Sequence, residues 1–248
     1  MDKSQEWLAI AIGNTRIRAA IFDGDRFEES SCTHAQLPSL ELKLANKHFA
    51  RIAIASVVPH IVTSWHSCAE TQIITTADVP LQGLYATMGV DRALAAFGAG
   101  QTYGYSVLVI DAGTALTLTG IDAHKTLVGG AIIAGLRSQF SSLHQNTAAL
   151  PDILIPEILP DRWATDTISA MQSGVAQILL AGLQAYIDDW RSQFPHSHVV
   201  LTGGDRDQLK QWGLKVDIID KDLIFRGLFY CHEFQLKQQE SRTLTVLR

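Results

Sequence analysis

Apolar positions in this chain follow a strand rhythm that gives way to a helical one, and the change occurs twice. Residues 8–12 (LAIAI) form an unbroken apolar run that stops at Gly13-Asn14-Thr15. Residues 17–22 (IRAAIF) form a second run, closed by Asp23-Gly24. Short β-rich runs bounded by turn residues predict strands, and Asp-Gly between them is a hairpin signal. Residues 26–30 extend the pattern to a third strand, and 51–58 (RIAIASVV) and 72–75 to two more. Leucines at 40, 42 and 44 behind Pro38 predict a short helix over 39–46. An alanine-rich helix opens at Gly89-Val90-Asp91-Arg92 and runs to Gln101, with Gly98 and Gly100 weakening its end.

The strand rhythm returns after Tyr105. Residues 106–119 (SVLVIDAGTALTLT) read as two paired strands with an aspartate and an Ala-Gly-Thr turn between them, and 126–134 completes a second meander. A helix is expected over 135–144. Residues 150–165 hold Pro151, Pro156 and Pro160 and form the longest irregular segment, a length that is often functional. A long helix follows from an N-cap at Thr165 or Asp166 to Phe194, with Ile168, Met171, Val175, Ile178, Leu179 and Gly182 on one stripe. A strand at 199–201 leads into Thr202-Gly203-Gly204-Asp205. A late strand at 215–219, a terminal helix over 223–233 and a loosely held polar tail from Gln235 end the pattern. Two rounds of meander followed by helix predict two α/β domains of one plan, 1–104 and 105–248, with the seam near Tyr103.

Composition narrows the function. A net charge of −5 with scattered Lys and Arg provides no basic footprint for nucleic acid. Cys32, Cys68 and Cys231 are odd in number, far apart and without a CxxC pair, which fits reduced thiols in a cytoplasmic protein. No stretch approaches the ~18 apolar residues of a membrane span, and the N-terminal apolar run is too short for a secretory signal. The expectation is a soluble, cytoplasmic protein that binds neither membrane nor nucleic acid.

The candidate chemistry lies at the turns. Phosphate is held by backbone N–H groups that side chains crowd, so glycine permits close approach. One Gly-centred hairpin turn is ordinary; two at equivalent places suggest a phosphate clamp. Asn14, Thr15 and Thr114 add side-chain donors, and Arg16 or Arg18 adds charge. Asp111 directly follows four apolar residues, where a carboxylate needs a partner, a hydrogen bond or a cation, with turn capping as the plain alternative. Asp91 in a first helical turn is a common cap. Set between Gly89 and Arg92, it also suits a small-alcohol kinase, which needs a carboxylate to take the hydroxyl proton and a guanidinium for an anionic substrate. Thr202-Gly203-Gly204 allows a flat base near the backbone but is weak alone. The nine histidines show no metal-ligand spacing.

AIGNTR (11–16), GVDR (89–92), DAGTALT (111–117), GGAIIAGL (129–136), TAALPDI (147–153), DTISAMQSG (166–174) and LTGG (201–204) together resemble the type III pantothenate kinases, relatives of the sugar kinases and actin. The resemblance runs through nearly the whole chain. It implies a duplicated ribonuclease-H-like (actin-like ATPase) fold, two domains with mixed sheets flanked by helices. It further implies that Ala11, Ile12, Gly13, Asn14, Thr15, Arg16, Ile17 and Arg18 form the first phosphate loop for ATP, with Thr114 at the phosphates. Gly89, Val90, Asp91 and Arg92 would bind pantothenate, Asp91 as the proton acceptor, with Tyr85 and Thr167 touching the same substrate. Asp111 would hold a monovalent cation, K⁺ or NH₄⁺, and Mg²⁺ would accompany ATP. A homodimer is implied too.

Two positions depart from the family pattern. The first loop of the family opens DxGNT, and Ala11 stands at its aspartate. Ala134 replaces a proline before Gly135-Leu136. The expected activity is ATP-dependent phosphorylation of pantothenate to 4′-phosphopantothenate, the first step towards coenzyme A. The alternatives are a non-catalytic regulatory protein resembling the Bvg accessory factor, and a kinase of another small hydroxy acid.

Overall fold

The computed structural model describes residues 6–45, 47–58, 60–61, 63–67 and 71–246. Its elements are β1 (Trp7–Ile12), β2 (Arg16–Asp23), β3 (Arg26–Thr33), α1 (Leu37–Leu44), β4 (Ile52–Ser56), β5 (Thr71–Ile74) and α2 (Val90–Tyr103). The same succession then begins again: β6 (Val107–Ala112), β7 (Ala115–Ile121), β8 (Leu127–Ala134), α3 (Leu136–Gln145), α4 (Thr167–Gln193), β9 (His198–Thr202), α5 (Arg206–Gln211), β10 (Ile218–Ile219) and α6 (Leu223–Val246). The strands form two five-stranded sheets, ordered β3-β2-β1-β4-β5 and β10-β9-β6-β7-β8. In each, three strands are an antiparallel meander and the last two join parallel to the first. The expected duplication is therefore present at the level of strand order, and β1 corresponds to β6.

Alternation along β1 separates two faces. Leu8, Ile10 and Ile12, with Ile17, Ala19, Ile52 and Ile54, pack over Leu40, Leu44, Phe49 and Trp65. On the opposite face Trp7 stands against Phe22, Ala9 against Ala20, and Ala11 against Arg18. That second face is covered by α6. Trp7 stacks on Phe22 at 4.3 Å between ring centroids and lies 4.6 Å from the His232 ring, while Phe22 meets Phe229 and Phe27 meets Phe225. The Arg51 guanidinium donates to His232 Nδ1 at 2.8 Å. Burial and, secondarily, the Arg51 charge lower the His232 pKa to about 4, so its ring stays neutral as the acceptor.

Contacts divide the chain into two units, Met1–Thr102 with Leu223–Arg248, and Tyr103–Asp222. The terminal helix thus joins the first unit rather than the C-terminal half expected from a division at 104/105. The reason is the row Phe225, Phe229 and His232, spaced to put three rings on one face of α6. The helix also continues to Val246, past the expected end at 233, because 234–246 holds no glycine or proline to stop it.

Two further expectations change. Ile168 and Ile178 are not buried on α4: Ile178 is 75% exposed. The buried row is Met171, Val175, Leu179, Leu183, Ile187 and Trp190, and Ile178 stands about a third of a turn away from it. The late strand is only Ile218–Ile219, because Asp217 already spends its carboxylate on Val199 N–H and Arg191. Elsewhere Asp166 caps α4 by accepting from Ser169 N–H at 3.0 Å, as expected. The second core gathers Leu108, Ile110, Leu116, Leu118 and Leu201 with Phe140 and Trp212. Cys32 and Cys231 are buried free thiols, and Cys68 lies outside the described residues. No helix among the described residues is long and apolar enough to cross a membrane.

Helix α2 does not weaken at Gly98; it is crossed there by α6. A methyl group on Gly98 would overlap the Leu223 carbonyl and come within 2.7 Å of Gly227 N, and one on Gly227 would overlap the Leu94 carbonyl. At an exposed helix position Gly→Ala stabilises by ~1 kcal/mol. Here overpacking reverses the sign, and Gly98→Ala is expected to destabilise the fold by about 1–3 kcal/mol. Urea denaturation measures it, and a raised midpoint would show that the crossing has room for a methyl.

Candidate active site

The first turn follows the end of β1. Gly13 N–H donates to Arg16 O at 3.0 Å, which closes the hairpin. Asn14, Thr15 and Arg16 are exposed. Ile12 and Ile17 are buried at 2% and 0%, so among the loop residues expected to meet ATP these two offer only their backbone; Ala11 is buried as well. Arg16 and Arg18 stand two apart on β2 and share a face. Arg18 is engaged within the first unit, its Nε 2.6 Å from Glu29 Oε1 and its guanidinium 4.8 Å from the Phe225 ring centroid. Glu29 is diagonal to Arg18 across the β2–β3 ladder, a reach that long side chains span.

The second element of the first unit is the start of α2. Asp91 Oδ1 accepts from Arg92 N–H at 2.8 Å. Burial dominates its electrostatics and raises its pKa, while the Arg92 N–H and guanidinium oppose that shift. The result is a carboxylate of more than ordinary basicity. Arg92 is itself buried at 8% and donates from Nη1 to Tyr85 Oη at 2.8 Å. Tyr85, Gly89, Asp91 and Arg92, singled out in the sequence, are therefore brought together in space. Gly89 matters because a Cβ there would lie 2.5 Å from Asp91 Oδ1. Val90, by contrast, is buried, and its side chain belongs to the core.

In the second unit Asp111 is the penultimate residue of the central strand β6. Its cross-strand partners are Thr117 on β7 and Thr202 on β9, both buried. Directly paired residues share a face, so the carboxylate is flanked by two hydroxyl-bearing side chains. The turn that follows is tied from behind. Thr114 O accepts from Gly135 N–H at 2.9 Å and Ser138 Oγ at 2.8 Å, and Asp205 N–H donates to Ala112 O at 2.9 Å. The LTGG segment is thus joined to the DAGT turn through its backbone. Burial raises the Asp205 pKa. Among the described residues no group of three His, Cys, Asp or Glu side chains is placed to hold a metal ion. The set around Asp111 is all oxygen, the donor type that hard cations prefer.

Thr167 is exposed at the first position of α4, next to the capping Asp166. The irregular segment before it is held through its carbonyls. Arg137 forks onto both Asp152 oxygens at 2.9 Å and donates to Ile153 O. Gln172, Gln208, Gln177 and Ser173 donate to the carbonyls of Leu154, Glu157, Pro160 and Arg162. With its backbone so occupied, the segment leaves Leu154, Ile158 and Trp163 exposed, Trp163 at 88%.

Sequence reasoning did not foresee three contacts at these turns. Thr117 and Thr202 become neighbours of Asp111 only through strand pairing, although DAGTALT and LTGG both contain them. His34, passed over for want of ligand spacing, places Nε2 2.8 Å from Gly13 O.

A profile of the type III pantothenate kinase family matches residues 7–189. A type III pantothenate kinase from a Synechocystis species is 41% identical over 243 residues, covering 93% of this chain and 92% of the relative. Another from a Nostoc species is 39% identical, with 90% and 93% covered. Among solved structures, a protein from Campylobacter jejuni described as a Baf family transcriptional activator superposes with a TM-score of 0.63 at 22% identity, covering 93% of this chain and 99% of that one. The activator of 2-hydroxyisocaproyl-CoA dehydratase from Clostridium difficile, solved with ADPNP, gives 0.53 at 12% identity, covering 95% and 97%. These two likenesses establish the actin-like ATPase fold. The chain belongs to the type III pantothenate kinase family.

Because the atom that would meet a Gly89 methyl is the mobile end of a side chain, Gly89→Ala is expected to fold almost normally and to displace the Asp91 carboxylate. Turnover should fall by about 10- to 100-fold, part of the 10²–10⁴-fold that a positioned base contributes. Thermal melting beside steady-state rates checks it, and unchanged turnover would mean that Asp91 need not hold its place.

Proposed function

We propose that Asp91 is the proton acceptor with which this pantothenate kinase activates the primary hydroxyl of pantothenate. The chain phosphorylates pantothenate with ATP to 4′-phosphopantothenate, the first step of coenzyme A biosynthesis. The observation that carries the assignment of Asp91 is a half-buried carboxylate of raised pKa, fixed at the start of α2 beside Arg92 and Tyr85. As the hydroxyl oxygen attacks the γ-phosphorus, its proton passes to an Asp91 oxygen. The bond from phosphorus to the β–γ bridging oxygen breaks, and ADP leaves. Positioning and charge stabilisation supply most of the acceleration in such transfers. Arg92, ordered by Tyr85, binds the pantothenate carboxylate; Gly89 leaves room for Asp91; Thr167 adds a contact to the same substrate.

In the first unit Asn14, Thr15 and Arg16 offer backbone and side-chain donors to the ATP phosphates, with Gly13 allowing close approach; in the second unit Thr114 offers its own. Of the expected loop, Ala11, Ile12 and Ile17 are buried in paired strands, and Arg18 reaches ATP only by leaving Glu29 and Phe225. Asp111, with Thr117 and Thr202 beside it, fits a monovalent cation by its oxygen donors. K⁺ or NH₄⁺ bound there supplies positive charge near the phosphates, and Mg²⁺ enters with the nucleotide. The buried free thiols of Cys32 and Cys231 agree with a cytoplasmic setting.

ADP release from ATP should require pantothenate and rise with K⁺ or NH₄⁺, and Asp91→Asn should lower it by about 10²–10⁴-fold. Since catalysis needs ionised Asp91 and burial raises its pKa, kcat/KM is expected to fall with decreasing pH from a point above the usual carboxylate range. An acid limb at the ordinary value, or full activity in Asp91→Asn, removes Asp91 from the role.

A homodimer is the proposed assembly. Its support is the apolar surface of the second unit, where Leu154, Ile158, Trp163 and Ile178 are all exposed. Ile178→Asp is expected to shift the enzyme from dimer to monomer in sedimentation velocity. Dimers of unchanged affinity would place the interface elsewhere.

A further inference from the structure

We propose that His34 is a positioning residue for ATP, acting by turning a peptide of the first phosphate turn; this rests on the reading of that turn as an ATP loop. His34 begins a 3-10 turn, His34–Gln36, directly after β3. The turn is held by the Gln36 side chain, whose Oε1 accepts from Thr33 N–H at 3.0 Å and Thr33 Oγ1 at 3.1 Å. From that base the ring reaches across to Gly13 O at 2.8 Å. A carbonyl oxygen can only accept, so Nε2 carries the proton and donates.

The consequence is stereochemical. The Gly13–Asn14 peptide is trans and planar, so its carbonyl and the Asn14 N–H point to opposite sides. Drawing the carbonyl towards His34 turns the N–H the other way. An anion-binding turn needs its N–H dipoles towards the phosphate and its carbonyls away from it. Gly13 resists rotation poorly, having no Cβ. Its N–H already closes the hairpin onto Arg16 O, which leaves the next peptide to be set by another group. His34 supplies that restraint from the β3 side without touching the nucleotide. His34 lies outside AIGNTR and is half-buried beside the turn.

The test is steady-state kinetics on the intact enzyme. His34→Ala is expected to raise the ATP KM roughly 3- to 10-fold, the span of one net hydrogen bond, with pantothenate KM unchanged and kcat within about two-fold. His34→Gln, which keeps an N–H donor, should recover most of the ATP KM, whereas His34→Glu, similar in shape but without a donor, should not. An unchanged ATP KM in His34→Ala overturns the proposal, as does an equal rise in both KM values or a Gln variant no better than Glu. If His34→Ala does not fold, the Gln and Glu pair decides alone. Thr15→Ala and Arg16→Ala separate the two levels. If both leave ATP KM unchanged, the ATP-loop reading fails and takes the proposal with it; if they raise it while His34→Ala does not, only the His34 role falls.

Discussion

Backbone polarity at the end of a central strand governs this structure. β1 and β6 are each bonded on both sides, by an antiparallel neighbour and a parallel one, so their peptide groups are satisfied along their length. Beyond Ile12 and Ala112 the ladders end and the next peptides must find partners. In both turns the carbonyls are taken by protein donors from behind: His34 for Gly13, Asp205 N–H for Ala112, and Gly135 with Ser138 for Thr114. Two turns that direct their carbonyls into the protein are suited to presenting N–H groups to an anion.

Helix α2 joins the stability of the first unit to its chemistry. It is buried along most of its length, with alanines and Gly98 allowing α6 to cross it backbone to backbone. A helix so fixed carries its first turn rigidly. The same burial that fixes it removes water from Asp91 and raises its pKa, so the packing that holds this carboxylate in place also makes it more basic.

The two central strands are unequal at one position. Asp111 has Thr117 and Thr202 as cross-strand partners, while Ala11, its counterpart, has Arg18 and Ala55. What differs is therefore a whole polar neighbourhood and not a single carboxylate. With no acid opposite it, Arg18 turns to Glu29 on the next strand and lies on Phe225, where it helps to cover the face that α6 occupies.

Much of this was legible in the order of residues. Apolar runs ending in glycine turns specified the strands and their duplication, because alternation and turn chemistry are local properties. Asp166 was readable as a cap for the same reason, and the family resemblance rested on contiguous motifs. The residues that strand pairing brings together were not legible: Thr117 and Thr202 beside Asp111, Glu29 beside Arg18, and His34 behind Gly13. Nor was the return of α6 to the first unit, since it depends on which sheet face its aromatic row meets. Periodicity also assigned Ile178 to the core, although a helix with apolar residues on more than one side leaves the choice of buried face to its neighbours. The sequence by itself determined where backbone turns and charged groups stand along the chain. Register and helix crossing decided which of them meet, because those depend on contacts between residues far apart in the chain.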